Sequence, residues 1–320
     1  MKNLRKYLCL FIFSIPVAGF SQSPDDVVED LLVIADGFAA PAANSVAYEA
    51  NGGWFSSAQS LEPWKVEVSV HANALFVPSS RKSFTISNSD FQAINVQGSS
   101  NASIPTAFGG ASDVAFEGSV LGNDFEFDAI EGVDKSFVGH PFAQVTIGLP
   151  AETEFAIRAM PKITLNDVQV STYGAGIKHN FSQYLRYNRP EDFQFSAFVA
   201  YSLFDVEYAF DPLNLDAFGE FNAIEVDADV WVAELLGSKR YENFEIFGAL
   251  GVANSDFAYM MQGSGAALSE VNSRIQELGD SQAQFKGDIG FNVYLQDFKI
   301  STMATAGKFF NLNIGLHFRI

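Results

Sequence analysis

Glu225, Asp227 and Asp229 stand at alternate positions of one segment, the spacing at which β-strand side chains share a face. Carboxylates gathered on one face attract cations and supply the hard oxygen ligands that divalent ions prefer. Alternate residues of a single strand do not encircle an ion by themselves. Pairing with cations elsewhere in the chain is the competing expectation, because an unpaired buried carboxylate is costly. Arg158, Lys178 and Lys286 are the cations expected to meet them, and Glu154 and Asp288 complete a candidate polar and charged stripe. The histidines His71, His140, His179 and His317 show no metal-ligand spacing, and no serine sits in a nucleophile-elbow motif. A serine, a histidine and a carboxamide could still assemble across strands, starting from His71 with Asn73 or from His179 with Asn180. A polar, wet interior explains the same residues without catalysis. The expectation is therefore no enzyme, no metal and no cofactor.

The chain opens with Lys2, Arg5 and Lys6 and an apolar stretch over 7–18, too short to span a bilayer as a helix. Gly19 and Ser21 occupy cleavage positions, so residues 1–21 read as a secretory signal cut before Gln22. Cys9, the single cysteine, lies inside that leader, and the remainder has no thiol for disulfides, nucleophilic catalysis or metal ligation. Without the leader's cations the formal charge of −19 becomes about −22, which speaks against nucleic acid as a partner. Hydrophobic residues make up 48% of the chain, yet no further run is long enough for a transmembrane helix. They must be distributed in another way.

They alternate. Val66, Val68, Val70, Ala72, Ala74 and Phe76 share one face of a segment, and Glu67, Ser69, His71 and Asn73 the other. The rhythm returns at 144–149 and 153–158, which form a hairpin, and at 193–203, 224–232, 244–252 and 285–295. A soluble sandwich also alternates, but segments of about 8 to 12 residues suit tilted strands that cross a bilayer. The large apolar residues then face lipid and the small, amide and charged ones a lumen. On that assignment Glu225, Asp227 and Asp229 point inward, with Phe198 and Trp231 as apolar inward residues. Phe193, Phe244, Phe285 and Tyr294 suit interfacial girdles, and Gly174-Ala175-Gly176 suits a bend. The fold class is all-β: an antiparallel transmembrane β-barrel of about 10 to 14 strands with a short N-terminal helical and irregular segment.

Links over 78–139, 206–221 and 254–283 are long, and several of the others are short, which assigns the long ones to the outside and Lys65 and the C-terminus to the periplasm. A hairpin of 84–86 with 91–96 inside the first long link would add two barrel strands. Leu268, Val271, Ile275 and Leu278 have helical spacing and predict an amphipathic helix on the outer mouth. Ahead of the first strand, Asp25, Asp26, Glu29 and Asp30 among Val27, Val28, Leu31, Leu32 and Ile34 predict an acidic helix that Gly37 ends. Residues 22–63 are accordingly a lumen plug or a periplasmic cap, and 64–320 the barrel.

Leu312, Ile314, Leu316, Phe318 and Ile320 alternate with Asn311, Asn313, Gly315, His317 and Arg319 up to the last residue. They resemble the C-terminal assembly signal of bacterial outer-membrane barrels, with the aromatic two residues before the end. Asn51-Gly52-Gly53-Trp54-Phe55, Val77-Pro78, Ile104-Pro105-Thr106-Ala107-Phe108-Gly109, the 141–158 hairpin and Gly174-Ala175-Gly176-Ile177-Lys178-His179 together resemble an uncharacterised family of Gram-negative outer-membrane barrels. The general layout is similar to the long-chain fatty-acid outer-membrane transporters, in layout rather than motif. The resemblance implies Sec export, the cell outer membrane as location, and the lipid bilayer and outer-membrane assembly machinery as partners. Two functions fit: transport of a small or hydrophobic solute, or a structural or surface-interaction barrel with long extracellular loops and no transport.

Overall fold

Alternation leaves each segment one face to bury and one to expose, and in the computed structural model of the chain ten such segments satisfy both by closing on themselves. The described residues are 23–120, 122–165, 168–185, 189, 192–215, 219–276, 279 and 281–320, so the expected leader lies outside them. Strand β1 (Val66–Phe76) is followed by five short strands: β2 (Ser83–Ser87), β3 (Ile94–Val96), β4 (Asn101–Pro105), β5 (Ala115–Val120) and β6 (Asn123–Asp128). Then come β7 (Phe137–Leu149), β8 (Thr153–Leu165), β9 (Val168–Asn180), β10 (Gln194–Asn214), β11 (Glu220–Tyr241) and β12 (Phe244–Ser264), and finally β13 (Gln282–Leu295), β14 (Phe298–Ala306) and β15 (Phe310–Arg319). β1 and β7 to β15 form a closed antiparallel barrel, with β1 between β15 and β7. The five short strands stay outside it as two small sheets, β2-β4 and β3-β5-β6. The expected hairpin of 84–86 with 91–96 is thus corrected: its two halves pair with other partners and add no barrel strand.

Paired residues fix the tilt. The line Asp256, Asp229, Leu203, Tyr173, Ala159, Ala143, Val70, Leu316, Ile300, Val293 returns to β12 at Phe244, twelve positions below its start. Ten strands with that stagger tilt by about 40° from the barrel axis. The line therefore climbs roughly 30 Å, about one hydrocarbon thickness, between Phe244 and Asp256. Outward-facing Val70, Ile157, Val199, Leu235, Leu250 and Ile314 lie between these levels and are exposed, as lipid-facing residues must be. Phe76 and Phe310 touch at the outer edge and Phe298 and Phe318 at the inner edge. Phe193, Phe244 and Phe285 also face outward. Tyr294 is the exception. It is buried in the lumen, where its hydroxyl donates to Glu245 and the Arg240 guanidinium lies 3.9 Å from its ring centre.

Strands β10, β11 and β12 are 21, 22 and 21 residues long, well beyond what a bilayer needs. Much of the chain read as long outer links at 206–221 and 254–283 is paired strand standing above the membrane. Against this wall packs α1 (Pro24–Ala50), opened by a capping box between Ser23 and Asp26 with Pro24 in the first turn. Gly37 does not end the helix, which runs on to Ala50; a side chain there would collide with the Phe84 ring, so this glycine admits β2 instead. Length and composition would let α1 cross a membrane, but its buried Val27, Ile34 and Phe38 pack with Phe116, Phe204 and Ile224 of the outer sheets and wall. Asp30 fastens it further by accepting the backbone N–H groups of Gln92, Ala93 and Ile94 at 2.6 to 3.0 Å. A second helix, α2 (Leu268–Ile275), sits on the rim, buries Val271 and Ile275, and carries Arg274 between Asp25, Glu29 and Glu270. Leu278 lies outside the described residues.

Ile320 and Val66 exchange both backbone hydrogen bonds at 2.8 and 3.3 Å, so the last residue closes the barrel seam. Ile314, Leu316, Phe318 and Ile320 face outward, and Leu312 is half-buried on the same face. Deleting Phe318 to Ile320 removes the Phe298–Phe318 contact and the Arg319–Glu67 ion pair together. Folded barrel in membrane fractions is expected to fall several-fold, read by heat-modifiable gel mobility; unchanged insertion would contradict the assembly role of these residues.

Candidate functional site

From Asn51 to Pro63 the chain has no regular secondary structure, so its carbonyls need partners from elsewhere. They find inward-facing side chains of the barrel. Lys178 donates to Ser57 O at 2.7 Å and Gln59 O at 2.8 Å, Asn180 to Ala58 O at 3.0 Å, Asn292 to Ser56 O at 2.6 Å and Gln144 to Trp54 O at 3.0 Å. Irregular backbone is tolerated at membrane depth when protein surrounds it in this manner. Arg158 is the central clamp. Its Nη1 donates to Ala50 O and Gly52 O at 3.1 and 3.0 Å, at the C-terminus of α1 where a cation also suits the helix dipole. Its guanidinium lies 3.6 Å from the Trp54 ring centre and 4.1 Å from that of Phe142. Gly174 and Gly176 do not bend β9, which is continuous; any Cβ there would press on the Trp54 ring at 3.0 to 3.2 Å.

The lumen lysines, unlike Arg158, also meet carboxylates. Lys178 lies 2.8 Å from Glu154, and Lys286 meets Glu234 and, at 3.1 Å, Asp288, all of them buried. Glu67 gathers Lys299 at 2.9 Å, His317 at 2.8 Å and Arg319 at 2.8 Å across the seam of β1, β15 and β14. Ser301 Oγ stands 2.8 Å from His317 Nε2, so Ser301, His317 and Glu67 have the linear order of a nucleophile, base and acid. The space beside His317 and Glu67 is about 20 Å³, room for about one water. The half of the barrel that holds residues 51–63 is thus filled, and its lysines are paired with carboxylates.

Of the eight residues expected to form a lumen stripe, Glu154, Arg158, Lys178, Lys286 and Asp288 lie buried inside. Glu225, Asp227 and Asp229 do not join them. They face outward, Asp229 taking a hydrogen bond from Tyr201, and carboxylate oxygens of Asp205, Glu225 and Asp227 lie within 4.8 Å of one another. Trp231 shares this outer face at 43% exposure, so it too is corrected, whereas Phe198 is inward and buried. The reason is height. At Asp229 the strand leaves the hydrocarbon, so carboxylates outside cost little, while Val226, Ala228 and Val230 turn to an apolar interior. The rule that lipid takes the apolar face inverts above the bilayer. Glu67 and His317 were read only as members of a polar face, and Glu234, Lys299 and Ser301 were not singled out, because the register that brings them together is not in the sequence; their alternation with outward Val68, Leu235, Ile300 and Phe318 was the available signal.

That apolar interior surrounds a cavity of about 600 Å³ in the outer half, above Arg158. Phe38 and Ala39 of α1, Phe204 and Val206 of β10, and Ile224 and Val226 of β11 form much of its wall. Two lining residues carry buried polar atoms without a hydrogen-bond partner, Glu49 Oε1 and His140 Nδ1. His140 lies opposite Asn73, which donates to Glu49 O at 3.2 Å, so both belong to one level of the cavity. Glu49 is on α1 rather than on a membrane-spanning strand, and burial pushes its carboxyl well above the ordinary glutamate value. The folded barrel therefore holds a proton that the unfolded chain releases, and stability falls as pH rises from the ordinary glutamate range toward the folded value. Glu49→Gln is expected to raise the thermal midpoint of the ligand-free barrel at neutral and alkaline pH and to leave it unchanged well below pH 4. Gel-shift melting curves at both pH values check the sign.

A closed, tilted antiparallel barrel with an outward apolar belt, aromatic edges and a lumen filled through one half is a β-barrel of the outer-membrane class. Along residues 1–320 the chain matches a family of unknown function, DUF6588, and it belongs to that family. No curated protein matches it. Similar solved structures include Ail, the attachment invasion locus protein of Yersinia pestis, at 8% identity over 81% of this chain and 100% of that one, TM-score 0.29. The β domain of the Bordetella autotransporter BrkA is 7% identical over 80% and 98%, TM-score 0.36, and the Escherichia coli outer-membrane protease OmpT 10% identical over 82% and 100%, TM-score 0.30. None of the three bears on what this chain does. Its barrel follows from its own register.

Proposed function

We propose that this protein is an outer-membrane carrier that holds a small amphiphile with an apolar body in the outer cavity, above a floor closed by residues 51–63. The cavity carries this reading. A volume of about 600 Å³ is within the range of small-molecule sites, as is an apolar wall with a few polar groups. The Glu49 carboxyl, which burial biases toward its neutral form, and the imidazole of His140 suit a hydroxyl or carboxyl head group. The sealed floor makes the resting state a binding site rather than an open channel, and passage to the periplasm requires residues 51–63 to shift. Sec export, residence in the cell outer membrane and insertion by the assembly machinery belong to the same proposal.

The solid, charge-paired periplasmic half favours a second reading, a structural barrel without transport. Binding of a fluorescent long-chain carboxylic acid to the purified full chain separates them. Ala39→Trp fills the cavity and is expected to weaken binding at least roughly tenfold. Equal binding by wild type and variant, or none by either, leaves the structural reading.

A further inference from the structure

The barrel is closed at its floor but not all the way up one seam. Strands β7 and β8 pair from Leu149 and Thr153 up to Ala143 and Ala159, and there their ladder stops. Beyond it β7 continues to pair with β1 as far as Phe137 with Phe76, and β8 with β9 as far as Leu165 with Val168. Both strands persist while the contact between them ends.

The sequence explains the stop. Val77 N donates to Ser136 O and Gly148 N to Lys65 O, so even-numbered residues of β7 bond to β1 and odd-numbered ones turn toward β8. Asn180 N donates to Glu152 O, so even-numbered residues of β8 bond to β9 at that end and odd-numbered ones turn toward β7. The register that pairs Ala143 with Ala159 makes the next hydrogen-bonded pair Pro141 with Pro161. Neither proline has an N–H to give, so two facing prolines end the ladder. One step further β8 carries a bulge, the register with β9 shifting between Met160 and Ile163, which bends it away.

The gap lies at the depth of the outer leaflet. Ala143 is midway along the climbing line from Phe244 to Asp256, and Phe137 stands beside the outer aromatic Phe76. Behind it is the apolar cavity. Phe137 and Gly139 on one side and Thr164 and Val170 on the other line that cavity, and Phe137 is also 59% exposed on the outside. Unpaired backbone at this depth is tolerated where it borders a cavity. Lys135 is exposed at the rim, where anionic lipid head groups would stand, and Lys162, also exposed, is paired there with Glu207 at 3.5 Å.

We infer that the cavity exchanges its occupant sideways with the outer leaflet through this portal between β7 and β8, and that the occupant is a membrane-dissolved, acyl-chain amphiphile. The inference rests on the carrier reading above. The test uses the full chain in phospholipid vesicles with a fluorescent long-chain carboxylic acid, measuring the amount bound and the exchange rate separately. Gly139→Cys with Thr164→Cys, in a chain whose only other cysteine is Cys9, allows the strands to be cross-linked by a short bis-maleimide after loading. Pro141→Val with Pro161→Val, a second variant, restores both ladder donors without a cross-link. Each is expected to keep bound probe and slow its exchange by roughly tenfold or more. Bound probe with an unchanged rate in both variants overturns the portal alone. No bound probe in the wild type overturns the carrier reading and the portal with it.

Discussion

Replacing Glu67 by glutamine is expected to destabilise the barrel by roughly 3–5 kcal/mol, the usual effect of removing one partner from a buried ionic cluster. Lys299 and His317 are buried and Arg319 half-buried around this carboxylate, at 2.8 to 2.9 Å. Glutamine keeps the shape and an acceptor oxygen but leaves lumen cations without a counter-charge. The two cations and the imidazole come from β14 and β15, so the loss falls on the seam that closes β15 against β1. The gel-shift melting midpoint should drop, and refolding from urea into detergent should slow. Adding Lys299→Met should recover part of the loss, because an apolar replacement of a buried charge is often neutral. A midpoint unchanged in Glu67→Gln would mean that water reaches the cluster and screens it. Ser301→Ala, by contrast, removes one neutral hydrogen bond to His317 and should cost only about 1 kcal/mol.

Arg158→Ala is expected to turn a silent barrel into a conducting one. This side chain joins the α1 terminus to the wall through two carbonyls, reaches Gln144 Oε1 at 3.2 Å, and lies between the Trp54 and Phe142 rings. Charge-assisted hydrogen bonds contribute about 1.5–3 kcal/mol each, and a desolvated cation–π contact about 2. Their joint loss is comparable to what holds residues 51–63 in place. Planar-bilayer recordings should show single-channel steps in the variant and none in the wild type. Arg158→Lys should conduct as well, since an ammonium cannot serve carbonyls on both sides while stacking flat between two rings. Silence in both variants would show that the remaining donors, among them Lys178 and Lys286 through Ser57 O, Gln59 O and Asn51 O, hold the segment without Arg158.

Much of this molecule could be read from its residues. The period of two in 66–76, 193–203 and 311–320, with no uninterrupted apolar run long enough for a transmembrane helix, leaves a closed barrel as the way to satisfy backbone and apolar faces in lipid. The same pattern separated Glu154, Arg158 and Lys178 from the lipid-facing side chains. Helix α1 was visible from Asp25 onward, but its stop was misplaced. A glycine reads as an end, and only the Phe84 ring packed on Gly37 shows that closeness was its use.

What alternation cannot supply is a sign. It states that Glu225, Asp227 and Asp229 share a face, not which face, and the choice passes to the neighbouring strands and to the height of the bilayer around them. Nor does it supply register between strands. Pro141 and Pro161 are ordinary prolines in the sequence, and they become an opening only because the turn between them sets them opposite each other with their nitrogens in the gap. The composition and period of the chain determined that it would be a barrel. Where the barrel is filled, where it is hollow and where its wall parts depended on side chains from distant strands meeting at one height, and only tertiary structure decides that.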